Sequence, residues 1–225
     1  MNISLVGKDC VGCENCSNVC PEKVIKMQSD IEGFIYPVIY EGCIDCGKCL
    51  ESCPQSMSHY ENTLNQKAYM AISEDRILYQ NGASAGIFGT MADQFFKVFD
   101  NAYVCGAAYY NGEVRHVIIS SSGNISSLQN SKYVQSRLYD LFGEIKKKIV
   151  KGANVLFSGT PCQVTALFKY LGRKPNNLYT VDLICHGVPN QKFLLQNTKH
   201  YEKVDKITNI GFRWKVGGTQ SGFFF

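Results

Sequence analysis

One cysteine spacing, used twice, constrains this chain more than any other feature. Cys10, Cys13, Cys16 and Cys20, followed by Pro21, recur at a constant offset as Cys43, Cys46, Cys49 and Cys53, followed by Pro54. Both runs read C-x2-C-x2-C-x3-C-P. Three thiolates on one tight loop reach three corners of a single cubane, and the fourth belongs to the cube held by the other run. The spacing therefore predicts two [4Fe–4S] clusters. One is expected on Cys10, Cys13, Cys16 and Cys53, the other on Cys43, Cys46, Cys49 and Cys20. The proline after each fourth cysteine turns the chain away with no amide to satisfy. Val11, Val19 and Ile44 are expected to shield the clusters from water. Four thiolates also suit structural zinc, but zinc modules pair two C-x2-C knuckles across a loop and do not crowd four cysteines into each of two short runs.

Eleven cysteines in all, an odd number, argue for metal ligation over a disulfide framework. The first ten residues lack a charged segment leading into an apolar one, and no long apolar run follows, so neither a signal peptide nor a membrane span is expected. A cytoplasmic location is the corresponding expectation. The net charge of +4 is unevenly spread. Residues 1–60 hold four basic and eight acidic side chains, and the remainder nineteen basic and eleven acidic. Two solvated surfaces explain this. So does a basic part that docks an acidic module or binds an anionic cofactor. No basic stripe interleaved with aromatics points to nucleic acid.

The cysteine repeat suggests a pseudo-symmetric α+β ferredoxin-like dicluster module over residues 1–60, with strands near Val24–Met27 and Phe34–Tyr40 around an Asp30–Gly33 turn. Residues 55–67 read as a linker. From residue 68 to 225 helices and strands alternate, which predicts an α/β domain with a mixed sheet. Helices are expected over Ser84–Phe99, Arg137–Lys151 and Pro161–Leu171, the last opened by Thr160 and stopped by Gly172. Strands are expected at Ala102–Tyr110 and Glu113–Ser120 around Asn111-Gly112, at Asn154–Ser158 and at Leu178–Ile184. The closing Phe223-Phe224-Phe225 either completes a sheet or marks a domain that is C-terminally incomplete in this sequence.

Three cysteines lie outside the repeat. Cys105 sits in an apolar strand and reads as core. Cys162 falls at the second position of the helix after Pro161, where free amides and the helix dipole favour a thiolate. Cys185 follows the next strand, on the edge where α/β sheets bind ligands. The pair allows a shared metal centre, two structural cysteines, or a nucleophilic Cys162 with His186 as base.

The segments Ser158-Gly159-Thr160-Pro161-Cys162-Gln163 and Asp182-Leu183-Ile184-Cys185-His186-Gly187-Val188-Pro189 resemble the coenzyme F420 hydrogenase/dehydrogenase beta-subunit family. The resemblance extends to Ser84–Phe88 and Ser131–Ser136 and covers roughly residues 68–225, with the ferredoxin module a common N-terminal fusion. It implies an iron–sulfur flavoprotein that binds FAD and passes electrons between a two-electron donor or acceptor and [4Fe–4S] clusters. It also implies that Cys162 and Cys185 join a C-x2-C pair further downstream to hold a third [4Fe–4S] cluster in a longer chain. Flavin contacts carried over by the resemblance are Ser84, Ala85 and Gly86 at a helix N-terminus, Lys132 toward a phosphate, and Tyr133 and Gln135 toward the isoalloxazine ring. Read without the family, the first is simply a helix start and Lys132 a surface lysine. Two functions follow as expectations. One is a flavin- and cluster-dependent oxidoreductase working with a redox partner protein or soluble electron carrier. The other is a non-catalytic ferredoxin-type electron-transfer subunit or adaptor that wires a partner enzyme.

Overall fold

The computed structural model describes residues 1–56, 67–83, 85–202, 211–212, 214–216 and 219–221. Each cysteine run ends in a short helix, α1 (Asn15–Val19) in the first and α2 (Lys48–Glu51) in the second. Between them β1 (Ile25–Ser29) pairs antiparallel with β2 (Ile35–Ile39). Their turn is closed by the Asp30 carboxylate, which accepts from the amides of Gly33 at 2.7 Å and Phe34 at 2.9 Å. Each short helix is entered through a left-handed residue, and here the repeat is asymmetric. The second run uses Gly47 (φ 78°), the first Glu14 (φ 61°). Glycine adopts this conformation freely, whereas a side chain costs about 1–2 kcal/mol there.

The larger part is built on a four-stranded sheet in the order β4-β3-β5-β6. Strands β3 (Ala102–Tyr110) and β4 (Glu113–Ile119) form an antiparallel hairpin across Asn111 (φ 49°) and Gly112 (φ 84°), as their sequence predicts. Strands β5 (Asn154–Gly159) and β6 (Leu178–Asp182) add in parallel, which makes the sheet mixed. Strand alternation sends side chains to two cores. Cys105, Val155 and Phe157 pack with α5 (Leu141–Val150) and α6 (Pro161–Leu171) on one face. Val104, Ala108 and Leu156 pack with α4 (Ile87–Val98) on the other. Cys105 is a core residue, as expected from its apolar strand.

Helix α6 starts and stops where its sequence says. Thr160 and Gln163 form a capping box, Pro161 opens the helix and Gly172 ends it in the left-handed region. Several expected elements are shorter, among them the helix expected over Ser84–Phe99, which runs Ile87–Val98, and two more have a clear cause or consequence. The helix anticipated from Arg137 begins only at Leu141, because residues 137–139 spend their backbone groups elsewhere. Arg137 bonds along β4, with its amide donating to Val114 O and its carbonyl accepting from His116 N, while the amides of Leu138 and Tyr139 donate to Glu14. Strand β6, expected to run to Ile184, ends at Asp182, so Leu183, Ile184 and Cys185 form an exposed loop. Helices α3 (Arg76–Asn81), capped by Asp75, and α7 (Gln191–Glu202), and a hairpin of β7 (Trp214–Val216) and β8 (Thr219–Ser221), have no counterpart in the sequence reading. Most of the expected linker and the terminal phenylalanines lie outside the described residues. No helix among the described residues is long and apolar enough to cross a membrane.

Side chains from both parts tie them together. Asn15, fully buried, donates to Ser52 O at 2.8 Å and to Ala166 O on α6 at 3.2 Å. Lys169, also on α6, donates to Cys53 O at 2.6 Å.

Candidate functional site

A cavity of about 860 Å3 opens between the first cysteine loop and the C-terminal edge of the mixed sheet. That is the size range of a cofactor site. Cys10–Cys13 form one wall, the glycine-rich turn before α4 and residues 129–136 form others, and Cys162 with Leu183–Val188 closes the far end.

The cysteines divide by environment. Cys10, Cys13, Cys16 and Cys53 sense one another. Burial raises the thiol pKa of Cys10, and Cys53 adds to the shift. Burial pushes Cys13 up further, with contributions from Cys16, Cys53 and Cys162, and carries Cys16 up to about 12. Thiols held this way resist ionising unless cationic charge is brought to them, as iron would bring it. Among the described residues, no three His, Cys, Asp or Glu side chains close on one point as a lone ion requires, whereas a cubane spreads its thiolates over four irons. Cys20 and Cys49 are buried beside this group, and Cys46 raises the Cys49 thiol pKa as a minor contribution after burial. Cys43 and Cys46 themselves are exposed. The first run therefore lines the cavity through Cys10 and Cys13, and the second reaches solvent through Cys43 and Cys46.

Cys162 sits at the start of α6, where burial raises its pKa while Thr160 Oγ1, 3.1 Å from its sulfur, lowers it and Cys185 raises it again. Cys185 is exposed and lines the same end of the cavity, its sulfur 3.5 Å from the Gly187 amide. His186 is nearby in the cavity wall.

Of the residues carried over as flavin contacts, Gly86, Lys132, Tyr133 and Gln135 line the cavity. Ala85 does not; its carbonyl accepts from Ser73 N behind the wall. Ser84 lies outside the described residues. Lys132 is no surface lysine. Its ammonium donates to Ser127 O and Gln129 O, and burial lowers its pKa to about 8. Gln135 uses its side-chain amide on Val11 O at 3.0 Å, so it joins the cavity wall to the cysteine loop.

Sequence reading missed His116. Its alternation with Val114 on β4 is the signal that places it on the buried face. It lines the cavity, stacks on Phe157, and bonds Ser158 O through Nε2 at 2.9 Å and Ser136 Oγ through Nδ1 at 2.7 Å. The carbonyl fixes the proton on Nε2, so Ser136 donates to Nδ1. Burial lowers its pKa to about 4, opposed by the Ser158 bond, and the ring is neutral at pH 7.

Residues 9–57 match the model of the 4Fe-4S dicluster domain. Residues 152–221 match that of the C terminus of the coenzyme F420 hydrogenase/dehydrogenase beta subunit. No curated relative matches the chain. Among solved structures, a chain from the xenon-derivatised F420-reducing [NiFe] hydrogenase complex of Methanosarcina barkeri is similar at 17% identity and a TM-score of 0.47, over 66% of this chain. The match spans about half of that chain, 54% of its length. The chain thus carries a 4Fe-4S dicluster domain at its N-terminus and, further on, a segment similar to the C terminus of the coenzyme F420 hydrogenase/dehydrogenase beta subunit, a combination that supports redox electron transfer.

Proposed function

We propose that the chain is an iron–sulfur flavoprotein oxidoreductase with FAD in the cavity and two [4Fe–4S] clusters on the eight N-terminal cysteines. The observation that carries this reading is the shared wall. The loop of Cys10 and Cys13 lines the same cavity as Gly86 and Lys132. When bound, the flavin would exchange two electrons with a soluble donor or acceptor and single electrons with the clusters.

The residues divide the work. Helix α4 offers free amides at its N-terminus, and Gly86 (φ 74°) lets the backbone come close to a phosphate there. Lys132 supplies a partly desolvated cation, which an anionic ligand would hold protonated. His116, neutral and held by Ser136 and Ser158, keeps the cavity floor polar without adding charge. The thiolates of Cys10, Cys13, Cys16 and Cys53 would hold the cluster beside the cavity. Cys43, Cys46, Cys49 and Cys20 would hold the outer one, from whose exposed loop a redox partner protein or carrier takes or gives electrons. In a longer chain Cys162 and Cys185 would begin a third site.

The adaptor reading differs in one observable. Denaturing protein purified without oxygen should release about one FAD per chain with about eight irons. Full iron with no flavin would leave only the adaptor.

A further inference from the structure

At two left-handed positions of the repeat one half has glycine and the other does not, Gly12 against Asp45 and Gly47 against Glu14, and the second pair bears on docking. Gly47 and Glu14 both sit left-handed at the entrance to a short helix, and only glycine is at ease there. The Glu14 side chain is 3% exposed. Its carboxylate accepts four bonds from one stretch of the larger part. They come from Arg137 Nε at 2.7 Å, Arg137 Nη2 at 3.3 Å, Leu138 N at 2.9 Å and Tyr139 N at 3.2 Å. Among the described residues this is the only ion pair that crosses between the two parts. The receiving stretch is held by bonds of its own. Arg137 is bonded along β4 through its amide and carbonyl, and its guanidinium lies 4.5 Å from the Tyr139 ring centre. Tyr139 is itself left-handed (φ 48°) and its carbonyl accepts from Asn18 Nδ2 at 2.6 Å.

We infer that Glu14 and Arg137 are a positioning pair that docks the first cysteine loop on the sheet and sets the local charge felt by its cluster. The inference rests on the ligand assignment proposed above. Glu14 follows Cys13 directly and lies two residues before Cys16, and its bond to Arg137 brings both charges to that run. In a buried setting the two charges are weakly screened. As a pair they nearly cancel. Reduction adds a negative charge to the cluster. A lone arginine favours it and a lone carboxylate opposes it.

The test is a potentiometric titration of the full iron-loaded chain, followed by EPR, with iron counted in parallel. Glu14→Gln should raise the potential of the inner cluster and Arg137→Gln should lower it. Each change should be at least tenfold in the reduction equilibrium, about 59 mV for one electron. The double variant should return near the parent value, and the outer cluster should move much less in all three. Shifts of the same sign in both single variants, or none, would overturn the inference, since a purely mechanical clamp gives no sign reversal. If either single variant fails to retain iron, the double variant decides: the parent potential supports the pair and a shifted one overturns it. Cys53→Ala separates the two layers. If the cluster that responds to Glu14→Gln survives Cys53→Ala unchanged, the ligand assignment fails while the charge pair stands.

Discussion

Gly12 shows how little room the first cysteine loop has. It is left-handed (φ 61°), and a Cβ there would lie 2.4 Å from Gln135 Nε2, 2.9 Å from Ile35 Cγ1 and 3.2 Å from Ile35 O. Gly12→Ala should cost about 1–3 kcal/mol and lower iron retention, read as the melting temperature and iron content of the purified variant. His116 gives a second test at this scale. The unfolded chain protonates such a ring near pH 6.5 and the folded protein near pH 4. Between these values the unfolded state binds more protons, so stability rises with pH across the window and is lost as pH falls through it. The gap corresponds to about 3 kcal/mol at most. His116→Gln should flatten the change in melting temperature between pH 7.5 and 4.5 relative to the parent; parallel curves would contradict the assignment. Neither role is marked in the sequence, because Gly12 is crowded by Ile35 and Gln135 and His116 is held by Ser136 and Ser158, contacts that residue spacing does not encode.

Elements whose ends are set by their own residues were legible. Helix α6 follows its capping box, proline and glycine, and the β3–β4 hairpin follows Asn111-Gly112. Where tertiary bonds take over, the reading failed. Arg137–Asp140 carries a helical apolar pattern through Leu138 and Leu141, yet its amides serve Val114 and Glu14 and the helix starts later. Helix α4 offers the sharper experiment. A Cβ on Gly86 would meet Leu78 O at 2.7 Å and Tyr79 Cα at 2.8 Å, both backbone and unable to yield. Gly86→Ala should therefore lower the ratio of released flavin to iron while iron stays near the parent amount. An unchanged ratio would remove this turn from the flavin site. For the paired cysteine loops, Cys20→Ala should damage the outer cluster and Cys53→Ala the inner one in EPR. Loss confined to the cluster of the same run would contradict the exchange of fourth ligands.

At the scale of the whole molecule, composition sets a cysteine-rich acidic stretch apart from a basic one. How they meet does not follow from it. The basic excess does not form a broad electrostatic seam, since one ion pair crosses it among the described residues and other links are amides and lysines bonded to carbonyls. Examples are Lys169 to Cys53 O and Lys192 to Ile31 O. Specific carbonyl bonds fix one arrangement where diffuse charge would allow many. The arrangement leaves Cys10 and Cys13 on the cavity and Cys43 and Cys46 on the surface, and the proposed function turns on electrons passing between a flavin and those two runs. A reductive titration of the anaerobically purified chain, followed by visible absorbance and EPR, tests this most directly. The account predicts about four electrons per chain, two bleaching the flavin and one on each cluster. Uptake of about two electrons, with cluster signals and no flavin bleaching, would contradict it.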